Sequence, residues 1–151
     1  VSREIKFRAW DGKQYFYECV CLFASQEIIL NNPLLGNKLH KVEMFQQYTG
    51  SKDKNRKEIY EGDILSLMEP KFEDTQQAFG TVQICFGKYD DSEMEWGSPA
   101  IGWYTKGFHG YNRLNGSSDR YPMNEQSIIQ CLNWEIIGNI YENPELILLS
   151  E

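Results

Sequence analysis

The sequence predicts a mainly β protein: a small SH3-like or related β-barrel with an N-terminal β-hairpin and short C-terminal helical pieces. Three observations point there. Short runs such as Ile5-Lys-Phe-Arg-Ala-Trp10 and Thr81-Val-Gln-Ile-Cys-Phe86 alternate apolar with polar residues, the period of a half-buried strand. Turn formers separate these runs at short intervals. Aromatic residues make up 14% of the chain, and such large side chains suit pleated sheet surfaces. At 151 residues and 41% hydrophobic, the chain is long enough and apolar enough to bury a core.

Taken in order, Ile5 to Trp10 forms a first strand, Asp11-Gly12 a tight turn, and Tyr15 to Phe23 a second strand. Glu27 to Leu30 is a short apolar piece, closed by turn formers from Asn31 to Asn37. Alternation resumes from Val42 to Tyr48, with Val42, Met44, Gln46 and Tyr48 on one face. Ser51 to Lys57 has no apolar residue and reads as a solvated loop, and Glu61-Gly62-Asp63 marks a turn before a strand from Ile64 to Met68. Thr81 to Phe86 and Ile101 to Tyr104 read as strands, and Gly107 to Gly116 as a glycine-rich aromatic loop. Asn124 to Leu132 has helical spacing, Trp134 to Tyr141 is strand-like, and Asn143-Pro144 opens a helical turn over Glu145 to Leu149. The expected organisation is a hairpin and connecting segment over residues 1–41, followed by a barrel-like domain over residues 42–151.

The formal charge of −7 repels phosphate backbones at long range and disfavours a general nucleic-acid binder. No apolar run is long enough to cross a bilayer as a helix. Val1-Ser-Arg-Glu4 lacks the basic and apolar regions of a secretory signal, which predicts a reducing cytosol. Cys19, Cys21, Cys85 and Cys131, with His40 and His109, do not have zinc-site spacing, so no metal or cofactor is expected. Cys19 and Cys21 stand two apart and point to one face, as buried thiols.

Three constellations bear on chemistry. Glu61 and Asp63 form a carboxylate pair with no nearby histidine, so Gly62 reads as the turn and Asp63 as a hydrogen-bond acceptor for local backbone. A calcium loop opening at Asp53 requires ligands or glycine where the chain has Lys57, Glu58 and Ile64, so that reading fails. The stretch from 103 to 113 offers stacking faces in Trp103, Tyr104, Phe108 and Tyr111 and cations in Lys106, His109 and Arg113. It is the one candidate recognition surface; the plainer reading is an aromatic loop packed over the barrel. No phosphate loop, zinc-helix motif or nucleophile elbow occurs, and no catalytic residue is expected.

Four pieces coincide in order: Arg8-Ala-Trp-Asp11, Gln47-Tyr-Thr-Gly50, Lys57-Glu-Ile-Tyr-Glu-Gly-Asp-Ile64 and Ile137-Gly-Asn-Ile-Tyr-Glu-Asn-Pro-Glu-Leu146. Together they resemble the YopX-type family of small proteins carried by bacteriophages and prophages of Gram-positive bacteria. The resemblance implies a phage-derived origin, the bacterial cytoplasm and a homo-oligomer, and carries over no catalytic residues. The family pattern usually has Gly at the position of Arg56, and Arg tolerates positive φ less well, which leaves the type of that turn open. The expected function is a non-enzymatic accessory protein acting through association with itself or with a host or phage protein. The alternative is a nucleic-acid-associated module using residues 103–113.

Overall fold

The computed structural model describes residues 4–68, 78–90, 99–107, 120–122 and 134–148. The protein is mainly β, with curled antiparallel sheets and a half-barrel, as the sequence predicts. It divides into two compact units, Val1–Gly50 and Ser51–Glu151. Val42 and Phe45 pack with Ala9 and Ile28 in the core of unit 1.

Unit 1 is built around β1 (Phe7–Trp10), which pairs antiparallel with β2 (Tyr15–Phe16) on one side and with β6 (Met44–Lys52) on the other. The turn after β1 forms because the Asp11 carboxylate accepts the backbone N–H groups of Lys13 and Gln14, each at 2.9 Å. Gly12 follows at φ 92°, and a Cβ there would sit 2.6 Å from a Glu43 carboxylate oxygen. Between β2 and β6 lies a three-stranded antiparallel meander of β3 (Val20–Leu22), β4 (Glu27–Asn32) and β5 (Gly36–Lys41). Ala9, Ile28 and Val42 form the buried core of this unit, with Phe16, Leu30 and Phe45 packed against them. Arg8 is buried, donates from Nε to Gln46 Oε1 at 2.8 Å, and lies 4.2 Å from the Tyr15 ring centroid.

The single strand expected from Tyr15 to Phe23 is two. Glu18 sits at φ 53°, in the left-handed region, and there the chain leaves β1 and turns towards β4. The run of turn formers expected from Asn31 to Asn37 is partly strand: Asn31 and Asn32 end β4, and Gly36 and Asn37 open the meander's third strand, β5.

In unit 2, β7 (Glu58–Tyr60) follows the Asp53–Lys57 turn, and a five-stranded sheet runs in the order β11-β10-β9-β8-β12. Its strands are β8 (Asp63–Met68), β9 (Ala78–Asp90), β10 (Pro99–Gly107), β11 (Arg120–Pro122) and β12 (Trp134–Asn139). Ile59, Leu65, Val82 and Ile84 are fully buried here, and Trp103, Trp134 and Ile136 pack against them. Gly62, at φ 80°, ties this sheet together: its N–H donates to the Ile84 carbonyl at 2.8 Å, and its own carbonyl accepts from Ile140 at 3.0 Å.

The segment expected as a solvated loop, 51–57, is partly core. Ser51 and Lys52 complete β6, and Ser51 and Asp53 are buried. Arg56 adopts φ 63°, so the turn is left-handed there despite the side chain. A short helix, α1 (Glu145–Leu148), closes the described chain. The Asn143 carbonyl accepts the Leu146 N–H as at a helix start, while its side-chain oxygen turns back to the Asn139 N–H at 3.4 Å. The helix expected at Asn124 to Leu132 lies outside the described residues.

Candidate interaction surface

The meander of unit 1 presents two unlike faces. Pairing puts Cys21 opposite Ile28 and Ile28 opposite His40, and Ile28 is fully buried. The alternate row places Val20 opposite Ile29 and Ile29 opposite Leu39. Val20 and Leu39 are 58% and 55% exposed, so an apolar stripe crosses all three strands on the outer face. The row beside it aligns Leu22, Glu27 and Lys41, one acid and one base side by side. At the β4–β5 turn, Leu34 and Leu35 project at 93% and 84% exposure. A single exposed leucine needs no explanation, but a cross-strand stripe and a two-leucine tip on one small sheet do.

The inner face ties the meander to the β1–β2 turn. His40 Nε2 lies 2.8 Å from Asp11 Oδ2, and the His40 ring packs 4.9 Å from that of Phe16, fastening β5 to the β1–β2 turn. The Gln14 N–H, followed by the bond to His40, holds the Asp11 carboxyl below the usual carboxylate range. Nearby, a groove of about 470 Å³ is lined by Glu4, Lys6, Glu18, Cys19, Cys21 and their neighbours. The two thiols there stand 4.0 Å apart, and burial, then the neighbouring Cys19, pushes the Cys21 thiol up to about 12.

Of the recognition residues expected between 103 and 113, three are described. Trp103 is half-buried, packs against the unit 2 core and meets Phe86 in a T-shaped contact with ring centroids 4.9 Å apart. Tyr104 and Lys106 alternate to the other side of β10, opposite Cys85 and Gln83, and Lys106 is exposed. Phe108, His109, Tyr111 and Arg113 lie outside the described residues, as does most of the glycine-rich loop.

Of the two acidic candidates, Asp63 is a structural acceptor. Asp63 Oδ2 accepts the Tyr60 N–H at 2.8 Å, and its Oδ1 accepts the Asn139 side-chain amide at 3.0 Å. Glu61 does not join this cluster by any described bond; burial pushes its carboxyl up. Asp53 is the acceptor the sequence did not single out. Its Oδ1 takes the N–H groups of Asn55 and Lys57 at 2.8 and 2.9 Å, and its Oδ2 takes that of Ile136 at 3.2 Å. Asp in a polar run gives no sign that it is buried; only the return of β12 shows it. Among the described residues no group of three or more His, Cys, Asp or Glu side chains is placed to hold a metal ion.

These features define a small β protein of curled antiparallel sheets with an apolar meander face. The chain belongs to the YopX protein family, which it matches over residues 6–148. It is similar to the crystal structure of protein EF1440 from Enterococcus faecalis, at 26% identity and a TM-score of 0.51, covering 97% of this chain and 99% of that one. No curated protein matches it.

Proposed function

We propose that this YopX-family protein works by association, and that the outer face of the β3–β5 meander, with the Leu34-Leu35 tip, seats a second copy of the chain. The observation that carries this reading is the stripe Val20–Ile29–Leu39, continuous across three strands and exposed at both ends. Each leucine buried at such a contact contributes about 1.5–3 kcal/mol, so two copies sharing four tip leucines have a sizeable driving force. The patch itself adds no electrostatic obstacle to a second copy. Chains of charge −7 repel each other, and the row carrying both Glu27 and Lys41 adds no net charge to the place where they meet. The non-enzymatic accessory role, the phage or prophage origin and the bacterial cytoplasm implied by the family pattern belong to the same proposal. The use of the Asp53 and Asp63 oxygens as internal acceptors supports the non-enzymatic part.

Size-exclusion chromatography with light scattering tests it. The natural chain is expected to run as a dimer or larger over micromolar concentrations, and Leu34→Ser combined with Leu35→Ser to run as a monomer with unchanged circular dichroism. A natural chain that stays monomeric across the concentration range overturns the reading. Oligomers that survive both serines place the contact elsewhere, and a heteromeric complex formed only with a host or phage protein replaces the second copy as occupant.

A further inference from the structure

We propose that Cys19 and Cys21 form a two-thiolate site for a soft monovalent cation of the copper(I) class. Side chains two apart on a regular strand are separated by about 6.8 Å along it, yet these sulfurs approach to 4.0 Å. Glu18, just before them, is left-handed and Cys19 lies outside β3, so the pair does not keep regular strand spacing. A disulfide requires about 2.05 Å, so the observed separation is that of two independent sulfurs. Two metal–thiolate bonds of about 2.3 Å set in line span about 4.6 Å, so the sulfurs, now 4.0 Å apart, open by about 0.6 Å through side-chain rotation to take the ion near-linearly.

The ligand number selects the ion. Structural zinc requires four ligands, and among the described residues no third His, Cys, Asp or Glu completes a set with these two. Thiolate sulfur prefers soft ions, and copper(I) is stable with two such donors. The surroundings suit a cation. Glu4 and Glu18 line the same groove, and the ammonium of Lys6 is 3.7 Å from a Glu4 oxygen and 4.7 Å from the Tyr48 ring centroid. The groove gives access from solvent, while Ala9, Ile28 and Val42 back the sulfurs on the core side. On binding, two S–H bonds break, two S–Cu bonds form and two protons leave to solvent. Copper stays in the +1 state and the site carries one negative charge. The proximity that makes a second thiolate unfavourable in the empty pair becomes favourable once a cation lies between the sulfurs.

The plainer role of half-buried packing thiols predicts no such binding, and titration separates the two. Reduced full-length protein is titrated anaerobically with copper(I) against a coloured copper(I) chelator. One equivalent is expected to be retained per chain. Cys19→Ser and Cys21→Ser are each expected to lower the affinity at least about tenfold, and Cys85→Ser to leave it unchanged. Because protons are released, affinity is expected to rise about tenfold or more from about pH 6 to pH 7. Alkylation of the unmutated chain, read by mass spectrometry, gives a measure independent of variant folding: copper(I) is expected to protect Cys19 and Cys21 but not Cys85. No retention against the chelator, retention unaffected by either serine, or equal alkylation of Cys19, Cys21 and Cys85 overturns the proposal.

Discussion

Two aspartates, Asp53 and Asp63, flank β7 and do the same work, each gathering N–H donors that the strands leave unpaired. An acceptor-only carboxylate suits that task, because both of its oxygens face donors. Asp63→Asn puts an amide NH2 where one donor already points, so it is expected to destabilise the fold by about 1–3 kcal/mol in urea unfolding. A catalytic Asp63 would instead leave the unfolding midpoint near that of the natural chain. Glu61 behaves oppositely, since burial favours its neutral form. Its folded pKa lies above the ordinary 4.5, so its contribution to stability is complete below 4.5 and is lost as pH rises through the raised value. Glu61→Gln removes that loss. The stability difference between variant and natural chain, read from urea midpoints, is expected to be larger near about pH 7 than near about pH 4. A difference independent of pH excludes Glu61 as the source.

Whole elements show how docking depends on small side chains. β12 carries a register shift between Ile136 and Gly138, and α1 returns against that point. A Cβ at Gly138 would lie 2.7 Å from both Asn143 Oδ1 and Leu146 Cδ1. Gly138→Ala is therefore expected to lower stability by about 1–3 kcal/mol and to loosen α1, seen as faster amide exchange at Leu146. Exchange unchanged at Leu146 would show that the helix absorbs the methyl group. The elements legible in the sequence are those with a buried alternating face: β8 and β9 stand out because Ile64, Val82 and Ile84 repeat against polar neighbours. β5 has no such signature, since its inward positions carry Lys38 and His40, and only His40 is half-buried, against Asp11 and Phe16 elsewhere in unit 1. The break at Glu18 is equally silent, because glutamate has no preference for left-handed φ. Of the candidate surface, the sequence shows Pro33 and Gly36 as turn formers. It does not show that Leu34 and Leu35 stand exposed at the tip of that turn. At Trp103 the sequence leaves both roles open, because a tryptophan reads the same whether it meets a ligand or, as here, the ring of Phe86.

For the molecule as a whole, net charge and apolar surface act against each other. A charge of −7 on each chain opposes self-association, and the meander face favours it. Salt weakens the first term and leaves the second almost untouched. Raising ionic strength from low to physiological is therefore expected to increase the oligomer fraction in light scattering, whereas an interface held by ion pairs would dissociate. The order of strands in unit 2 has another bearing, on synthesis. β8 lies between β9 and β12, so one of its edges is completed only by β12. Asp63 likewise waits for Asn139, 76 residues later in the chain. On the ribosome, a nascent chain halted before Trp134 carries β8 with one open edge. Such an edge pairs readily with neighbouring nascent chains on a polysome, or is held by a chaperone until translation delivers the last strand.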